Sequence, residues 1–207
     1  MRNIQIILFV ILLSLLTACT KNFEVELRES VVNPDPRHPD LPAYSEFGYN
    51  NFGAYYDRHA FRSVTRTPLK IVIENGNLYF KFQGSKTDEV DSYYSVLRPE
   101  IDLYFIMPNF INSSSRELSL LNDSIIDLKH DSIEVNIFEN GIVKTVEVLN
   151  GNIHFKKVQE LRIDQVFEEM IISGTFQFQA MISGEPSTID YGRFDMGVGY
   201  STFYMLD

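Results

Sequence analysis

Leu69-Lys70-Ile71-Val72-Ile73-Glu74-Asn75-Gly76-Asn77-Leu78-Tyr79-Phe80-Lys81-Phe82-Gln83 is the stretch that decides the fold class. Leu69, Ile71 and Ile73 alternate with Lys70, Val72 and Glu74. After Asn75-Gly76, Leu78, Phe80 and Phe82 alternate with Tyr79, Lys81 and Gln83. Successive side chains on a strand point to opposite faces, so a period of two gives each run one buried face. Asn-Gly between two such runs signals a hairpin, because the tight turn needs positive φ at both central residues.

The pattern recurs along the chain. Ile133, Val135 and Ile137 lead to Asn140-Gly141, then Val146 and Val148; Asn150-Gly151 precedes Ile153 and Phe155. Three Asn-Gly pairs predict three turns of an antiparallel meander. Residues 101–107 are apolar on nearly both faces and predict a more central strand, stopped by Pro108. Residues 175–180 alternate with Phe176, Phe178 and Ala180 inward. A last strand is expected from Gly192 to about Tyr200, with Phe194, Met196, Val198 and Tyr200 on one face. Residues 88–97, 115–121 and 164–170 could form short helices, but none carries a long apolar stripe. The expected fold is all-β: an antiparallel β-sandwich or barrel built from hairpins, with at most short helices.

Before this domain the character of the sequence changes. Arg2 is the sole charge before an apolar run from Ile4 to Leu16, too short to span a bilayer comfortably. A charged start, an apolar middle and a small-residue end describe a secretory signal. Leu16-Thr17-Ala18-Cys19 resembles the bacterial lipobox, and Cys19 is the only cysteine in the 207 residues. The expectation is cleavage before Cys19 and lipid on its thiol, with residues 1–18 as signal peptide. Residues 19–42 read as a lipidated cysteine and a tether, with Pro34, Pro36, Pro39 and Pro42 favouring extended chain. Residues 43–207 read as one all-β domain. Phe23, Val25 and Leu27 alternate with charges and allow a short strand inside the tether. With one cysteine, the mature chain contains no disulfide, and its stability rests on a core.

Two segments resemble a family of small Bacteroidota lipoproteins of unknown function. The first is residues 41–54, where a Leu-Pro stretch leads to Gly48-Tyr49-Asn50-Asn51-Phe52-Gly53; Asn51 stands where the family pattern has Thr. The second is Ile172-Ser173-Gly174-Thr175-Phe176, followed later by Gly192-Arg193-Phe194-Asp195. The resemblance implies an all-β fold and carries over no catalytic residue. Turn geometry at Gly48 and Gly53, and a turn followed by a strand at Gly192–Asp195, are the plain structural explanations.

The chemistry is sparse. Net charge is −10, and −11 once Arg2 leaves with the signal, which argues against nucleic acid and against a polybasic membrane patch. His38, His59, His130 and His154 show no metal-ligand spacing, and the acids at 88–91 lack the spaced pattern of a calcium loop. No metal and no cofactor is expected. Nucleophile elbows, phosphate loops and dinucleotide fingerprints are absent from the sequence. No catalytic residue is assigned and no enzymatic activity is expected. A carbohydrate site remains open: Tyr55-Tyr56 and Tyr93-Tyr94 each place one ring on either face of an extended segment, so one of each pair could meet a ligand.

The leading expectation is therefore a lipid-anchored, non-enzymatic β-domain of the cell envelope with a structural or binding role. It would meet the membrane through lipid on Cys19, and an envelope protein or a glycan as partner. A glycan- or small-ligand-binding lipoprotein serving uptake is the alternative, and a hydrolase stands third. Thr20 after the cysteine favours the outer membrane over the inner.

Overall fold

The computed structural model describes residues 33–63, 69–87, 100–110, 115–130, 132–163, 166–199 and 203–206. The hairpin predicted around Asn75-Gly76 is present. Strand β5 (Leu69–Glu74) pairs antiparallel with β6 (Asn77–Thr87), with Ile73 opposite Leu78 and Leu69 opposite Phe82. Asn75 and Gly76 take φ of 50° and 74°, the left-handed values the tight turn requires. On one side β6 pairs with β7 (Glu100–Met107), and β7 with β9 (Glu134–Glu139). There the chain turns at Asn140-Gly141 into β10 (Ile142–Lys144). On the other side the end of β6 pairs with β4 (His59–Ser63), and β4 with β3 (Asn51–Tyr56). Beyond β3 come β13 (Glu185–Val198), β12 (Val166–Ile182), β11 (Val146–Ile163) and the edge strand β8 (Ser124–Asp127). Strand β14 (Phe203–Leu206) runs parallel beside β5.

This one sheet curls into a half-barrel, and the all-β expectation holds. Its concave face closes on a single core. Phe82 of β6 lies 5.5 Å from Phe176 of β12 and 5.3 Å from Phe194 of β13, strands several places away along the sheet. Phe80 and Phe155 meet at 5.1 Å, and Phe105 meets Phe176 at 5.3 Å. Such edge-on and tilted pairs suit the ring quadrupoles, and each buried Phe contributes about 1.5–3 kcal/mol over an exposed one.

Three local expectations are corrected. Asn150-Gly151 makes no turn: it lies inside β11, where the register against β12 slips between Val148 and Asn150. Because β12 is hydrogen-bonded to β11 on both sides of this bulge, the strand bends and continues. Of residues 164–170, Val166–Met170 are part of β12 and not helical. The strand expected from Gly192 begins at Glu185, after a Ser183-Gly184 turn with positive φ, and β14 follows it. Residues 115–121 do form a helical turn, a 3₁₀ segment (Ser115–Leu121) with Leu118 buried. The helix expected at 88–97 and the strand at 23–27 lie outside the described residues.

Residues 33–50 form a strap across the convex face of the sheet. It starts with a small hairpin of β1 (Pro34–Asp35) and β2 (His38–Pro42), closed by Ala43 N–H donating to the Asn33 carbonyl at 2.6 Å. Ten of the residues read as tether are thus docked, with Leu41 1% exposed. Gly53 of β3 permits this approach, since a Cβ there would lie 2.4 Å from the Pro42 ring. Its role is close packing, whereas Gly48 (φ 77°) supplies turn geometry.

Candidate binding groove

On β13 the side chains alternate: Phe194, Met196 and Val198 enter the core, while Arg193 and Asp195 point to the convex face and are buried by the strap. The Asp195 carboxylate, 1% exposed, accepts from Ser45 Oγ (2.5 Å) and from the backbone N–H of Phe47 (3.1 Å), Gly48 (2.7 Å) and Tyr49 (3.1 Å). Arg193 pairs with Asp35 and donates to the carbonyls of Tyr191 and Pro42. The Arg37 N–H, and then the Arg193 guanidinium, hold the Asp35 carboxyl below its usual range. Asn50 Oδ1 receives the Gly197 N–H at 2.8 Å. The two segments that carry the family resemblance are therefore the two sides of one clasp.

Next to the clasp the strap forms one wall of an open groove of about 440 Å³ on the convex face, within the usual range for ligand sites. Its floor follows from strand parity. Ile153 and Phe155 of β11 and Phe176 and Phe178 of β12 face the core, so Asn152, His154, Thr175 and Gln177 face out into the groove. Tyr44 of the strap and Tyr191 of β13 flank them. Burial pushes the Tyr44 phenol up to about 12, with Ser173 opposing and Glu46 adding; its hydroxyl donates to Glu46 at 2.8 Å. The Lys156 ammonium lies 4.7 Å from the Tyr44 ring centre, and His154 Nε2 is 3.5 Å from Asp123.

Tyr191 has φ of 52°, unusual for a bulky residue. It sits in a bulge where β13 carries an extra residue relative to both β12 and β3. The bulge projects its ring, 51% exposed, next to His38 (4.3 Å between centroids) and Tyr55 (6.1 Å). A second hollow of about 450 Å³ lies against Ile106, Ile133, Val146 and Val148, with Asn77, Lys129, Ser132 and Glu134 also in its lining and Tyr79 its one aromatic ring among the described residues.

Of the tyrosines singled out in the sequence, Tyr55 joins the aromatic cluster beside the groove. Tyr56 turns inward at 5% exposure with the Lys86 ammonium 3.4 Å above its ring, and burial, then Glu139 and Asp57, push its phenol up to about 12. It is a core residue and presents no face to a ligand. Tyr93, Tyr94 and Cys19 lie outside the described residues. Tyr44, Asn152, His154, Lys156, Thr175, Gln177 and Tyr191 were not read as a site from the sequence. For those on β11 and β12 the one sequence signal is polar outward positions on alternating strands, which every half-exposed sheet shows; Tyr44 lies on no strand and Tyr191 in a bulge.

Among the described residues no carboxylate lines the groove, and no three His, Asp or Glu gather as metal ligands would. No helix among them is long and apolar enough to cross a membrane. Comparison with known protein families, curated proteins and solved structures finds no match to this chain.

Proposed function

We propose that this is a lipid-anchored, non-enzymatic binding protein of the cell envelope whose convex-face groove takes a glycan segment. The observation that carries this reading is the groove's composition: the amides of Asn152 and Gln177 and the hydroxyl of Thr175 stand open beside the rings of Tyr44 and Tyr191. Amides donate and accept at once, which matches sugar hydroxyls, and aromatic rings take the apolar face of a pyranose. The Tyr191 backbone supports the reading too. A left-handed tyrosine costs of order 1–3 kcal/mol, and such strain concentrates at functional positions. The lipobox-like Leu16-Thr17-Ala18-Cys19 supports an envelope location, and Thr20 after the cysteine favours the outer membrane over the inner.

The test is calorimetric titration of the purified protein with a panel of oligosaccharides. Tyr191→Ala is expected to weaken a bound oligosaccharide about tenfold, the upper end of an aromatic contact. Tyr79→Ala, in the second hollow, is expected to leave binding unchanged. A panel in which no glycan binds, or equal losses from both variants, rules the groove out as a glycan site.

A further inference from the structure

We infer that the groove prefers a carboxylate-bearing sugar, such as a uronic-acid unit, to a neutral one, and that Lys156 makes the choice. This deepens the glycan reading and rests on it. The chain has 28 acidic against 18 basic residues, yet among the described residues Lys156, Arg193 and His154 line the groove and no Asp or Glu does. The acids that approach from outside, among the described residues, are engaged: Asp195, which acts on Tyr44, accepts from Ser45 and from the backbone N–H groups of Phe47, Gly48 and Tyr49. Asp35 pairs with Arg193, Asp123 faces His154, and Glu46 holds the Tyr44 hydroxyl and lies 3.7 Å from Lys157. Lys156 is exposed and has no carboxylate partner among the described residues.

The strand geometry explains why this lysine stands in the groove. The register of β11 against β12 slips between Phe155 and Lys157, so Lys156 is the extra residue of a bulge. Phe155 and Val158 are both core, which leaves two consecutive lysines on the convex side. Lys157 also donates to the Glu46 carbonyl at 3.3 Å, whereas Lys156 rests on the Tyr44 ring. A ring face holds an ammonium in place without cancelling its charge. One positioned cation without a carboxylate partner among the described residues, next to neutral amides and a hydroxyl, matches a ligand that carries one carboxylate among several hydroxyls. A phosphate, with up to two charges, calls for a denser set of donors.

Calorimetry with galacturonic-acid oligomers and galactose oligomers of equal length tests this. The uronate oligomer is expected to bind about fivefold more tightly, the upper end for an exposed ion pair, with the advantage shrinking as salt rises. Lys156→Gln, an exposed substitution checked by its melting temperature, should abolish the advantage, costing the uronate oligomer more affinity than the galactose oligomer. Equal affinity of the wild type for both oligomers, or an equal loss for both in the variant, overturns the charge selection and leaves the glycan reading standing. An aspartate pentapeptide that binds as tightly as the uronate also overturns it, since recognition would then be by charge alone. If neither oligomer binds and no other glycan does, both readings fall together.

Discussion

At the scale of single residues, Asp195 holds the strap on the sheet. Its carboxylate is buried, and its four donors are three backbone N–H groups and one hydroxyl, none of them a cation. Burying an ionised group is costly unless its lone pairs are filled, and a carboxylate offers about four such sites. Here the loop at 45–49 fills them. Removing the acceptor leaves those N–H groups facing a surface that offers no replacement. Asp195→Ala is therefore expected to lower unfolding free energy by about 3 kcal/mol, with Asp195→Asn in between. The urea midpoint measures this, and limited proteolysis should show new cleavage within residues 33–50. An unchanged midpoint together with unchanged cleavage would mean that the carboxylate does not hold the strap. None of this was legible in the sequence, where Asp195 is one polar residue on an alternating strand. Its donors lie about 150 positions away, and no local pattern announces a contact of that span.

At the scale of elements, local turn chemistry was legible where it alone decides the outcome. Asn75-Gly76 and Asn140-Gly141 both take positive φ and reverse the chain. Asn150-Gly151 has the same residues and does not reverse the chain, although Gly151 has φ of 141°, because reversal also depends on where the next strand finds its partner. A partner that runs through the whole stretch turns the hairpin signal into a bulge. Glycines divide along the same line. A Cβ at Gly174 would lie 2.2 Å from the His154 carbonyl oxygen and 2.7 Å from Phe194 Cζ, while at Gly141 (φ 76°) nothing lies within 4 Å. Gly174→Ala must push β11 and β12 apart and is expected to cost about 3 kcal/mol. Gly141→Ala meets only the backbone penalty, about 1 kcal/mol. Thermal or chemical denaturation of the two variants should give that order, and the reverse order would contradict the close approach of β11 to Gly174. The sequence had already pointed to Gly174 within Ile172-Ser173-Gly174, though only the neighbouring strand explains it.

At the scale of the whole molecule, a curled sheet has a concave and a convex face, and this chain uses them differently. Aromatic residues at inward positions fill the concave face, and the strap covers part of the convex face and leaves the groove beside it. The strap is also the segment that leads back towards Cys19, the expected site of the lipid. Cys19→Ser is expected to move the protein from the membrane fraction to the soluble periplasmic fraction on cell fractionation, and a variant that stays in the membrane would refute the lipid anchor. By itself the sequence determined the fold class, the first and second Asn-Gly hairpins and the inward positions of the core strands. Period-two burial and positive-φ turns are properties of neighbouring residues, so they can be read along the chain. The clasp, the groove and the exposure of Tyr191 were decided only by the tertiary structure. They depend on bulges that shift register between paired strands, and on a strap that meets the sheet far from its own position in the chain.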